Sequence, residues 1–150
     1  MACLGAVLYD PAVAVSKATT AAIAMTAIDT TNLRLVFTVP SSGRVLVRLQ
    51  GCVHGATTFP TILLGVLEGA TAVGRVCPIG GLKTTAVATA MATQEASFVV
   101  SGLTPSAQLT WDAAYGVETG IASTGLKYGG PNNTTANDAF GAFIFEIWAA

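Results

Sequence analysis

The chain has 150 residues, the size of one ordinary domain and enough to bury a continuous core. Charged residues make up only 10% of it and hydrophobic residues 52%, whereas typical soluble domains are about 25% charged. Seven Lys and Arg nearly balance eight Asp and Glu, which excludes the basic footprint that nucleic acid or anionic lipid requires. An exterior so poor in charge predicts a surface that faces other protein as much as water.

In chain order, the first thirty residues are rich in Ala and Thr and hold a Tyr9-Asp10-Pro11 turn and a candidate strand at Ala21 to Ile28. They predict an extended N-terminal arm, residues 1–30, ordered by docking, ahead of a single domain over 31–150. Met1 to Asp10 lacks the basic start of a signal peptide, and Gly, Pro, Thr or charge interrupts the apolar stretches before membrane-spanning length. A soluble, non-secreted chain without membrane contact is expected.

Leu33 to Val39 reads as a strand that stops at Pro40. Ser41-Ser42-Gly43 then has turn chemistry, and Arg44 to Val53 resumes the extended pattern, so the pair predicts a hairpin. Within the second strand Val45, Val47 and Leu49 point to one face, and Arg44, Leu46, Arg48 and Gln50 to the other. Thr61 to Gly69 is apolar on both faces with Gly65 inside it, which predicts a doubly covered strand or a bulge. Ala72 to Cys77 is a strand closed by Pro78 and Gly80-Gly81, and Leu82 to Met91 fits a strand, a loop or a short helix.

Glu95 to Val100 predicts a strand ended by Ser101-Gly102. Gln108 to Val117 follows with Leu109, Trp111, Ala113 and Tyr115 on one face, a large aromatic contribution to a core. Lys127 to Thr135 has the Gly and Asn content of an exposed loop. Phe140 to Trp148 closes the chain with Phe143, Phe145 and Ile147 on one face, and Ala142, Ile144, Glu146 and Trp148 on the other. Glu146 is conspicuous among apolar neighbours and predicts an inter-subunit partner such as Arg44 or Arg48. About eight turn-bounded strands without a helical period predict an all-β fold, an antiparallel β-sandwich of jelly-roll type.

Catalytic chemistry has little to work with. The one histidine, His54, lies two residues from Cys52, at a strand end flanked by glycines, and the carboxylates are too dispersed to nominate a pair. Cys3, Cys52 and Cys77 are odd in number and lack C-x-x-C spacing, which argues against a metal or disulfide framework, and Cys52 and Cys77, in strand-like runs, predict buried inert thiols. No phosphate-binding glycine motif leads from a strand into a helix. The expectation is a non-enzymatic protein with no catalytic, metal or cofactor site, whose candidate interface residues are Tyr9, Arg44, Arg48, Glu146 and Trp148.

The segment Phe37-Thr38-Val39-Pro40-Ser41-Ser42-Gly43-Arg44-Val45-Leu46-Val47 and the ending Gly141-Ala142-Phe143-Ile144-Phe145-Glu146 together resemble strands of the jelly rolls in C1q-like and tumour-necrosis-factor-like trimers. The whole chain, with Tyr9-Asp10-Pro11 and Asp29-Thr30-Thr31-Asn32-Leu33, also resembles small virion proteins of tailed bacteriophages, the head decoration and minor tail proteins. That resemblance implies a homotrimer made in the host cytoplasm and seated on the virion, with the major capsid protein or tail proteins as partners. It implies a cementing role on the mature head, or alternatively a receptor- or glycan-binding module at a tail or fibre, presented by loops such as Lys127 to Asp138.

Overall fold

In the computed structural model the described residues are 1–18, 24–55, 62–79, 90–117, 125–130 and 140–150. Their regular structure is entirely strand: β1 (Cys3–Tyr9), β2 (Val15–Ala18), β3 (Thr26–Ala27), β4 (Arg34–Thr38), β5 (Val45–Gly55), β6 (Ile62–Glu68), β7 (Thr71–Ile79), β8 (Ala90–Val100), β9 (Gln108–Val117), β10 (Gly125–Tyr128) and β11 (Phe143–Ala149). All pairings are antiparallel and form two sheets.

The eleven segments lie on eight lines. β11 pairs with Val45 to Gln50 of β5 and β10 with Cys52 to His54, so β10 and β11 share one flank of the long β5 while β8 takes the other. β2 pairs with β10 and β1 with β11, and together they make the next line out. The first sheet therefore runs β1/β2, β10/β11, β5, β8. In the second sheet β3 and β4 share one flank of β9, followed by β6 and β7. The alternation read in the sequence sets the core: Val45, Val47, Leu49, Phe143, Phe145 and Ile147 of one sheet meet Leu35, Phe37, Leu64, Val66, Trp111 and Tyr115 of the other, all buried. This is the antiparallel β-sandwich that the sequence predicts.

The predicted hairpin is not one. β4 belongs to the second sheet and β5 to the first, so the turn between them crosses the end of the sandwich. Its local chemistry is as expected, with the Gly43 N–H donating to the Pro40 carbonyl at 2.9 Å. The crossing lies beside the β8 to β9 connection: the Leu103 N–H donates to the Gly43 carbonyl at 3.1 Å and the Ser106 N–H to the Val39 carbonyl at 3.0 Å. Gly43 has φ 63°, and a Cβ there would stand 2.7 Å from the Leu103 carbonyl oxygen, so two crossings this close require glycine.

The described part of residues 1–30, expected as an arm ordered by docking, is built into both sheets. It supplies β1, β2 and β3, and Leu4, Val7 and Tyr9 pack against the core. Of the strand expected at Ala21 to Ile28, only β3 lies among described residues. β6 has the predicted double cover, with Val66 and Leu67 both buried, and its register with β7 shifts twice. Lys127 and Tyr128 are strand rather than loop, because the Tyr128 ring is core and 1% exposed. Most of Leu82 to Met91 and of the loop beyond Gly130 lies outside the described residues.

Candidate interaction face

The outward face of the first sheet gathers three of the five predicted interface residues. Side chains in register across antiparallel strands share a face. One row is Ala6, Glu146, Arg48 and Ser97, flanked by Leu8, Ile144, Gln50 and Glu95 on one side and Cys3, Trp148, Leu46 and Val99 on the other. Seven of these twelve positions are apolar or thiol: Cys3, Ala6, Leu8, Leu46, Val99, Ile144 and Trp148. Leu8 is 64% exposed and Val99 49%.

The charges at the centre of this face are matched within the chain. Arg48 Nη1 donates to Glu146 Oε2 at 3.1 Å, while its Nε and Nη2 donate to Glu95 Oε1 and Oε2 at 3.2 and 3.0 Å. Ser97 Oγ donates to Glu95 Oε1 at 3.0 Å, and Trp148 Nε1 donates to Glu146 Oε2 at 3.1 Å. The hydrogen bonds from Arg48 and Ser97 hold the Glu95 carboxyl below its ordinary range, and the same Glu95 contact raises the Arg48 guanidinium above its own. With one cation and two anions, the cluster has a net charge of -1.

Glu146 thus has its partner in the same chain, which corrects the expectation of an inter-subunit one. The register of β11 on β5 places Glu146 directly opposite Arg48. The other two candidates lie elsewhere. Arg44 is exposed at the mouth of β5, and its side chain has no ion pair among the described residues. Tyr9 turns inward, its ring 5.9 Å from that of Tyr128. Glu95 and the exposed Leu8 are the members that sequence reading missed. The alternation Glu95, Ser97, Val99 carried the signal, but only the pairing of β8 with β5 shows what it faces.

On the second sheet, Arg34 Nε and Nη2 donate to Asp112 Oδ1 and Oδ2 at 2.7 and 2.9 Å, a bidentate pair. Asp112 is only 3% exposed, so Arg34 caps a buried carboxylate and belongs to structure. Tyr128, a residue of the predicted glycan-presenting loop, is in the core. Its hydroxyl is pushed up to about 12, first by burial. Lys127 lies over the Phe140 ring, 5.0 Å from its centroid.

Cys52 is buried and Cys3 exposed. Among the described residues no group of three or more His, Cys, Asp or Glu is placed to hold a metal ion, and no helix is long and apolar enough to cross a membrane. No protein family, no curated protein and no solved structure matches this chain.

Proposed function

We propose that the chain is a non-catalytic structural subunit that packs against copies of itself and against a larger shell through the outward face of its first sheet. The observation that carries this reading is the make-up of that face: an apolar majority surrounding charges that are already ion-paired within the chain. Arg48 arrives hydrogen-bonded to both carboxylates, so a covering partner has only the one excess negative charge to offset, which costs less than burying the three as isolated ions. The low charge of the whole chain supports the same reading.

The strand order supports reading the sandwich as a jelly roll. Numbering the eight lines along the chain, the first sheet runs 1-8-3-6 and the second 2-7-4-5, the double Greek-key winding of capsid and lectin domains. With the resemblance to tailed-phage virion proteins, the role that fits best is capsid decoration: a homotrimeric subunit that binds the mature shell and stabilises it by its binding free energy. The test compares particles with and without the protein under heat and osmotic shock. Complete particles are expected to survive conditions that open depleted ones, and equal survival would sink the cementing role.

A further inference from the structure

Among the described residues, each edge strand of the sandwich has a neighbour on one side only. An open edge is a template for another strand unless charge, proline, irregular register or shortness blocks it. Most edges here carry such a device. β2 holds Lys17, β4 Arg34 and β8 Glu95, and β3 is two residues long. β7 holds Arg75 and Pro78, and its register with β6 breaks twice.

β1 differs. Its one irregularity falls between Cys3 and Gly5, and from there Gly5, Ala6, Val7, Leu8 and Tyr9 run in unbroken register with Ile147 to Phe143. None of the five is charged and none is proline.

We propose that β1 is an intermolecular pairing edge and that its occupant is β1 of a second copy, antiparallel across a two-fold axis, so that two first sheets join into one. The inference rests on the structural-subunit reading and specifies one of its contacts. Self-pairing about a two-fold axis brings each strand against its own sequence, and like charges facing across a pair destabilise it. In a centred pair that rule disfavours β7 and β8, whose mid-strand Arg75 and Glu95 would face their own copies, whereas β1 carries no charge and is compatible with itself in any register. Joining there also carries the apolar positions across the seam, because Ala6 and Leu8 of both copies meet on the face that holds Ile144, Trp148 and Leu46. A monomeric subunit paired in this way gives a dimer, and a trimeric one a hexamer.

The test is the solution mass of the full chain together with backbone amide exchange. The expected result is an even-numbered species in which β1 amides exchange at least tenfold more slowly than at dilutions where the mass halves. Ala6→Lys puts a charge on the edge while placing it in register with Glu146 of its own chain, so the fold is retained and the mass halves. Leu8→Lys is the second variant should the first fail to fold. A monomer, an odd-numbered species, an assembly whose β1 amides exchange as fast as when dissociated, or folded lysine variants of undiminished mass would each overturn the proposal. The two readings fail separately: a half-mass variant that still protects particles leaves the decoration role standing, and a wild type that pairs through β1 but binds no particle leaves only the pairing.

Discussion

Replacing Trp111 with phenylalanine probes the join between the core and the rim of the second sheet. The indole is fully buried, meets Phe37 edge-on at 4.8 Å between ring centroids, and donates from Nε1 to Glu68 Oε2 at 3.0 Å. The shorter ring leaves a void of about 40 Å³, which at about 24 cal/mol per Å³ costs ~1 kcal/mol. The apolar area lost adds about 1 kcal/mol. The hydrogen bond adds about 1 kcal/mol more, a figure kept low because Glu68 is exposed and regains water. Together these come to about 3 kcal/mol, or a fall in Tm of roughly 6–12 °C for a chain of this length. Glu68→Ala tests the polar part alone, and the double variant should destabilise less than the sum of the two singles by about 1 kcal/mol, because the indole left without an acceptor is then gone. Thermal unfolding of the four proteins measures this. A Trp111→Phe shift under 2 °C would refute the packing argument, and strict additivity would refute the energetic role of the hydrogen bond.

Glu146→Gln keeps an oxygen for Arg48 and Trp148 and should leave Tm nearly unchanged, whereas Glu146→Ala frees both donors and should lower Tm and weaken assembly, read by melting and by solution mass. A Cβ on Gly51 would stand 2.6 Å from the Phe143 ring, so Gly51→Ala should cost about 1–3 kcal/mol by overpacking, measured by denaturant titration. Burial raises the Tyr128 hydroxyl in the folded chain to about 12 from an ordinary 10.0. The stability this represents is complete below pH 10.0 and lost as pH rises toward about 12, and Tm should fall in that window together with a late tyrosinate absorbance. The Glu95 carboxyl is held low by Arg48, so its stabilisation is present above its ordinary value of 4.5 and lost as pH falls below it. Glu95→Gln should flatten that acid limb of the Tm profile.

The period-two alternation of Val45 to Gln50 and of Phe143 to Trp148 is a property of the strand itself, and the sequence shows it directly. Which strands become neighbours is not local. Pro40 to Gly43 makes a tight turn whether the chain doubles back in one sheet or crosses to the other, because the Gly43 to Pro40 bond is the same in both. The crossing is decided by packing between the sheets: β4 lies against β1 of the first sheet, with Leu35 beside Gly5, while β5 packs over β6 of the second. The same limit hid the site: Arg48 and Glu146 both stand out in the sequence, yet only the register of β11 on β5 makes them partners within one chain. Tyr128 was misplaced for a related reason. Glycines and asparagines follow it closely, and they mask a four-residue strand that is held by β2 and β5 rather than by its own length.

β10 and β11 lie along the same flank of β5, and the chain leaves that line at Gly129 and returns at Gly141. The Gly129 N–H donates to the Gly141 carbonyl at 2.8 Å, the Phe140 N–H to the Gly129 carbonyl at 3.0 Å, and the Gly130 N–H to the Pro11 carbonyl at 2.8 Å. The two ends are therefore clasped to each other and to the β1–β2 corner, whatever sequence runs between them. Closing a loop costs only about 0.6 kcal/mol more for each doubling of its length, so with both ends already fixed by these bonds the clasp is the natural place to graft a foreign peptide without a change in either sheet.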